Sequence, residues 1–323
     1  MQKIPSIELP VQLPKPSVLK SHGQNEQNYE PEFWDFQYDS YRYLKDIPDD
    51  KLEERYRNIH RNFCLLVRPE HHVIPINCFL SSWYWYRKEY QTRYEFSLRN
   101  LPLPLPFPCP RGNFTAPVRS NGPNSCNILF RYGNSKFMET FVNKGEIRIS
   151  LASVYKDGAK LDPKTDDELN KHRYIPKHHA WIKTKEGKQI PIISDVHETC
   201  STKNYYNLSM STDYEPQMFK EFCYDSCVII KDPDQFIVRL KNSTKQLLPN
   251  WYFSHNPIEY FDPYEPYMNQ HIDTIMYKDF LFSYQMEYRI FWHPQQDNAS
   301  VKEKYIVVQI GSLEDICELY KIE

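Results

Sequence analysis

Three short polar signals interrupt strand-like runs in this chain, and together they could converge in one cleft between two sheets. The first is Arg131 in CNILFRYG (126–133), where Phe130 and Tyr132 alternate to the other side. The second is Ser209 and Ser211 in YYNLSMST (205–212), opposite Leu208 and Met210. The third is Gln285 and Glu287 in YKDFLFSYQMEYRIFWH (277–293), where Tyr284, Met286, Tyr288, Ile290 and Trp292 recur with period two. That alternation, in residues that favour pleated surfaces, predicts a strand with one face in a core. Gln285 and Glu287 then sit one pleat apart on its other face. A guanidinium presents a fork of donors suited to phosphate. A Gln-x-Glu pair on a half-buried strand is a plausible catalytic pair. The plain alternative for the last pair is a polar outer face on which Glu287 pairs with Arg289.

The elements that must position these groups divide near residue 125. Residues 1–30 read as an extended arm, ordered against a partner or lying along the domain surface. The aromatic run 31–46 must bury its rings. Residues 48–63 have the start signals and spacing of a helix, with Leu52, Tyr56, Ile59 and Phe63 on one stripe. A second helix is expected within 78–100, its Trp and Tyr face turned inward. Five prolines alternate with apolar residues over 101–110, which predicts a stiff strap joining an N-terminal, mostly helical, aromatic-rich extension (1–125) to a C-terminal unit (126–323).

In the C-terminal unit, 126–133 reads as a strand, 135–145 as a helix ended by Gly145, and 146–150 as a strand. Residues 165–172 read as an acidic helix start, and 181–193 as a hairpin turning at Glu186–Gly187. Residues 205–212 read as a strand and 215–226 as a helix. Residues 227–232 and 235–240 read as two strands joined at Pro233, and 250–268 as loops. Residues 305–310 read as a buried strand, and 311–320 as a final helix capped by Ser312. Many strands with few intervening helices predict an α+β fold with mixed or antiparallel sheets.

Composition narrows the function classes. The chain has 323 residues and a formal net charge of -2, so no global field pulls it toward nucleic acid or membrane. It holds 25 Tyr and 25 Pro but 8 Gly, and no Gly-rich phosphate loop or GxSxG elbow occurs. The 8 Cys include no CxxC pair, and His178, His179 and His197 lack ligand spacing, so no metal is expected. Asp166, Asp167 and Glu168 could bind a divalent cation, but an acidic helix start is the simpler reading. No stretch approaches the ~18 apolar residues of a membrane span, and the first residues lack a secretion signal. A reducing cytoplasm is the expected compartment and a membrane is not an expected partner.

The order Arg131, Ser209-x-Ser211-Thr212, Gln285-x-Glu287 resembles the Arg, Ser-Thr-Ser, Glu signature of the ADP-ribosyltransferase superfamily. Residues 126–320 are also similar to a widespread bacterial domain family in which a G-x-I-x-x-S strand, a Ser-rich strand and a Y-x-x-E-Y-R strand follow one another. Here these are Gly145–Ser150, Leu208–Thr212 and Tyr284–Arg289. The resemblance implies a split β-sandwich that binds NAD as substrate and transfers ADP-ribose to an amide or nucleobase acceptor, on a nucleic acid or a protein. It implies Glu287 as the catalytic carboxylate, Ser209 as its support and Gln285 toward the acceptor. Arg131, Tyr132, Ser209, Ser211 and Thr212 would bind NAD, with Tyr155, Tyr214, Phe219 and Phe222 as candidates to stack on nicotinamide. Such transferases include toxins and effectors, so a neutralising, antitoxin-type partner is a further expectation. Two other readings stay open: an interaction module of the same fold without activity, and a nucleic-acid-binding protein or nuclease that uses the Trp/Tyr/Arg segment 83–94.

Overall fold

The computed structural model describes residues 31–66, 82–105, 126–156, 167–177, 180, 182–265, 273–295 and 303–322. The expected N-terminal arm and most of the proline strap lie outside the described residues. Three helices come first: α1 (Pro31–Tyr41), α2 (Asp49–Leu66) and α3 (Ser82–Leu98). Helix α2 begins with Asp49 and Asp50, which complement the positive end of its dipole, and it buries Leu52, Tyr56 and Ile59 on one stripe. Helix α1 buries Trp34 and Tyr38 but leaves Phe36 70% exposed, so the aromatic run is only partly absorbed by the core.

Helix α3 departs from the expected amphipathic pattern. Trp85 and Tyr90 are buried, but so are Lys88, Glu89, Gln91, Thr92 and Glu95. Its polar residues are paired inside the protein instead of solvated. Lys88 lies 3.1 Å from Asp262 and 2.9 Å from Glu265, and Glu95 receives Tyr38, Arg42 and Arg99. A helix enclosed this way shows no apolar stripe in its sequence.

The remaining elements are β1 (Leu129–Gly133), α4 (Ser135–Lys144), β2 (Glu146–Leu151), β3 (Asn170–Ile175), β4 (Ile182–Lys183), β5 (Gln189–Ile190) and β6 (Val196–Ser201). Then follow β7 (Tyr206–Ser211), α5 (Gln217–Phe222), β8 (Ser226–Ile230), α6 (Pro233–Thr244), β9 (Trp251–Pro257) and β10 (Glu259–Phe261). The chain continues with β11 (Tyr277–Asp279), β12 (Glu287–Pro294), β13 (Tyr305–Gln309) and β14 (Cys317–Lys321). The fold is α+β, built on a large antiparallel sheet of 8 strands among the described residues. Strand β7 is its centre. Along one edge β12 pairs with β7 from Glu287↔Ser211 to Trp292↔Tyr206, and β9 pairs outside β12. Along the other edge two strands share β7: β2 takes Tyr206 and Asn207, and β1 takes Ser211. Residues 208–210 between them have no ladder partner on that edge, so the sheet splits there. Beyond the split, β1 continues to β8 and β14, and β2 to β13.

One face of the sheet packs Leu208, Met210, Tyr288, Ile290 and Trp292 against α4 and α6. Burying each such side chain contributes roughly 1.5–3 kcal/mol. The other side gathers Phe130, Tyr132, Tyr214, Phe280 and Tyr284 with Trp34, Ile59 and Trp85 of the N-terminal helices. Among the described residues no helix is long and apolar enough to cross a membrane.

The expected strand 126–133, helix 135–145, strand 146–150, hairpin at Glu186–Gly187, strand 205–212 and helix 215–226 are present with trimmed ends. Gly145 ends α4 at φ 60, and a Cβ there would stand 1.9 Å from Gly311 O, so the position excludes a side chain twice over. Five expectations are corrected. Residues 235–240 belong to helix α6, because Pro233 is its first residue and Asp232 caps it by accepting from Gln235 N at 3.0 Å. Of the expected helix start 165–172, residues 165 and 166 lie outside the described residues; Asp167 accepts from Leu169 N and Asn170 N in a turn that includes Glu168, and residues 170–172 open strand β3, which pairs with β6. Residues 251–261 are strands β9 and β10, with β10 parallel to β11. The C-terminal segment is strand β14 on β8, and β13 is an edge strand with only Val308 buried.

Candidate functional site

The split between β1 and β2 opens into a cavity of about 710 Å³, lined among others by Arg131, Tyr155, Glu168, Asn207, Ser209 and Glu287. This is within the size range of small-molecule sites. Glu287 enters it differently from the expected strand alternation. Residues Phe280–Gln285 form a 3-10 turn, and Met286 takes a left-handed conformation at φ 45 before β12 begins at Glu287. Gln285 and Glu287 are therefore not a pleat apart on one strand. The reversal at Met286 instead brings both to one cation: Lys278 Nζ lies 3.0 Å from Gln285 Oε1 and 2.9 Å from Glu287 Oε2.

Glu287 is fully enclosed and heavily bonded. Ser209 Oγ donates to its Oε1 at 2.7 Å, and Arg289 Nε donates to the same oxygen at 2.9 Å. Its backbone N–H donates to Tyr260 Oη at 2.9 Å. Burial by itself would push its carboxyl up, but Arg289 and Lys278 outweigh burial and hold it well below the usual carboxylate range. Arg289 in turn reaches Glu168 at 2.7 Å through Nη2, and burial is outweighed by Glu168 and Glu287, which keep it protonated. Glu168, Glu287, Lys278 and Arg289 form a quartet whose formal charges cancel. The plain reading of a solvated Glu287–Arg289 pair is half right: the pair exists, but its members are 3% and 0% exposed.

Arg131 reaches the same cavity from the other side of the split. The missing ladder on β7 leaves the Ser209 carbonyl without a strand partner on that edge, and Arg131 Nη1 donates to it. A guanidinium has five N–H donors; among the described residues the others of Arg131 meet no protein acceptor. Ser209 thus stands between Arg131, through its backbone, and Glu287, through its hydroxyl.

Of the other expected site residues, Ser211 and Tyr132 line the cavity but their hydroxyls are engaged by the frame, and Thr212 lies outside it. Ser211 Oγ is 2.7 Å from Asp213 O and 2.8 Å from Gln285 O, which fastens the end of β7 to the turn before Glu287. Thr212 is 1% exposed and holds Met286 O through both N and Oγ1, so it stabilises the reversal and does not line the cavity. Tyr132 packs against Tyr214 and Phe219, and its hydroxyl accepts from Glu215 N at 2.7 Å. Of the aromatic candidates, Tyr155 and Phe222 line the cavity, whereas Tyr214 and Phe219 are core residues outside it. Sequence reasoning missed Lys278, Asn207 and the buried, paired roles of Glu168 and Arg289. Lys278 sits on β11, which pairs with the segment 259–261 expected as loop, and Glu168 lies in the turn expected as helix. Arg289 carried a usable signal: a cation between Tyr288 and Ile290 in a strand enclosed on both faces. No family model, no curated protein and no solved structure matches this chain.

Proposed function

We propose that this protein is an ADP-ribosyltransferase that takes NAD as substrate and passes ADP-ribose to an amide or nucleobase acceptor. The observation that carries the reading is the Ser209–Glu287 hydrogen bond at 2.7 Å inside a cavity that Arg131 also lines. In this reaction the bond between ribose C1′ and the nicotinamide nitrogen breaks, and its electron pair leaves with nicotinamide as a neutral ring. Positive charge then grows on the ribose, and the acceptor nucleophile forms the new bond to C1′ and gives up its proton. Glu287 is ionised, and Ser209, Arg289 and Lys278 occupy three of the roughly four lone-pair sites of its carboxylate. The remaining site on Oε2 can hold a ribose hydroxyl and place negative charge near C1′. Arg131 supplies N–H donors for the pyrophosphate. Gln285 stands on the acceptor side of Glu287, anchored by Lys278.

A second reading has its own support. Two cations already compensate Glu287, which favours a module that binds NAD or a related nucleotide without consuming it. One experiment separates the two. The chain is incubated with NAD labelled in its adenylate and with total cell extract, and release of nicotinamide and transfer of label to protein or nucleic acid are measured. Transfer that disappears in Glu287→Gln and Ser209→Ala supports the transferase. Intact NAD with measurable binding supports the silent module, and the absence of both sinks the NAD reading. The segment 83–94 offers little to the nuclease alternative, because Trp85 and Tyr90 are buried and Arg93 pairs with Glu89.

A further inference from the structure

Asn207 sits on β7, two residues before Ser209 and on the same face, and it is 1% exposed. Its side-chain amide lies against the Ser209 hydroxyl, with Nδ2 at 3.2 Å from Oγ. The direction of that bond follows from donor counting. Ser209 has one hydroxyl hydrogen, and Glu287 is ionised and can only accept, so the hydrogen goes to Glu287 at 2.7 Å. Ser209 Oγ must therefore accept from Asn207, and the amide must turn its NH2 toward it. The carbonyl Oδ1 then points away from Ser209. It is buried, it accepts from no donor among the described residues, and Asn207 lines the cavity. A buried acceptor left unpaired costs stability, and a ligand donor would remove that cost.

We propose that Asn207 is a binding residue of this cavity: Oδ1 accepts from an uncharged N–H or O–H donor of the ligand, while Nδ2 fixes the direction in which Ser209 donates. A carbonyl oxygen in this position selects a hydroxyl or a primary amide and repels a carboxylate. The identity of the ligand rests on the reading above, because NAD carries both ribose hydroxyls and a carboxamide. The site itself rests on Oδ1 and the Asn207–Ser209–Glu287 chain alone.

The test compares wild type with Asn207→Leu and Asn207→Asp, using NAD, nicotinamide and ribose as probes. Asn207→Leu removes both donor and acceptor at similar volume. NAD affinity is expected to fall about tenfold or more, with the Tm of the ligand-free protein shifted by no more than a few degrees. Asn207→Asp, assayed at a pH where the new carboxyl is ionised, keeps an acceptor but cannot donate to Ser209, so on the transferase reading it retains NAD affinity and loses turnover. Unchanged affinity in Asn207→Leu overturns the proposal, and so does a collapse of its ligand-free Tm, which would make Asn207 a structural residue. If NAD fails to bind wild type, the dinucleotide reading falls and the site is decided by the smaller probes. A shift of the Asn207 side-chain amide resonance with nicotinamide or ribose supports the site, the responding probe naming the donor. No shift with either overturns it.

Discussion

Two groups of buried charges can be compared in this chain. In the helical region, Arg55 forks onto Asp262 with both terminal nitrogens, at 2.7 and 2.6 Å, and Lys88 joins Asp262 and Glu265. Behind the sheet's split, Glu287 and Glu168 are held by Arg289 and Lys278. In both, burial by itself would raise the carboxyl and the adjacent cations overcome it, so Asp262 and Glu287 are both held well below the usual range. The difference is what lies beside them. None of Arg55, Lys88, Asp262 and Glu265 lines the cavity, whereas Glu168, Lys278 and Glu287 do, together with Arg131, one nitrogen of which donates to Ser209 O, and an Asn207 carbonyl that accepts from no donor among the described residues. A buried ion pair is thus weak evidence of function by itself. An ion pair beside open volume and unused donors or acceptors is stronger evidence.

The sharpest way to break the comparison is Arg55→Ala. It leaves Asp262 buried with Lys88 alone and is expected to cost about 3–5 kcal/mol of stability, read by chemical denaturation; a cost near zero would remove the structural role given to that cluster. On the transferase reading proposed above, Glu287→Gln is expected to lower NAD turnover by about 10²–10³-fold, with near-UV circular dichroism unchanged. The loss must exceed any effect of Asp262→Asn measured on the folded fraction, or the two clusters do not differ in function. On the same reading, Arg131→Lys keeps the charge but loses the fork, so the KM for NAD should rise about tenfold while kcat changes less; equal KM values would remove the pyrophosphate role proposed for Arg131.

Acid should treat the clusters alike. A depressed carboxyl contributes its stability above the unfolded value near pH 4 and loses it as pH falls through the lower folded value. The stability difference between wild type and Arg55→Ala is therefore expected to hold from pH 8 to about 5 and to shrink below about 4. The smallest effect is the control: Arg239 and Asp315 pair on the surface, where water and salt screen them, and Arg239→Ala should leave the denaturation midpoint unchanged within error. A larger shift would mean that exposed pairs in this chain cannot serve as a baseline for buried ones.

Much of the frame was legible in local signals. The apolar stripe of α2, the Gly145 stop, the hairpin at Gly187 and the alternation of β7 each depend on residues a few positions apart. Asp232 and Pro233 together are a helix start, although the apolar run after them reads locally as a strand. The C-terminal segment shows the opposite case. Ser312 and Asp315 look like a cap, yet Cys317–Lys321 pairs with β8, because strand pairing and burial of Leu313 and Ile316 outweigh a short helix.

The sequence by itself determined which residue types were available for chemistry: a guanidinium, a serine hydroxyl and a carboxylate on elements that local patterning largely fixes. Tertiary structure alone decided what surrounds them. Only pairing between strands distant in sequence splits the sheet at residues 208–210, and only the reversal at Met286 turns Gln285 and Glu287 onto Lys278. Periodicity reports which face a residue takes within one element. It carries no information on which element will stand opposite, and the electrostatics and free acceptors of this cavity are properties of that meeting.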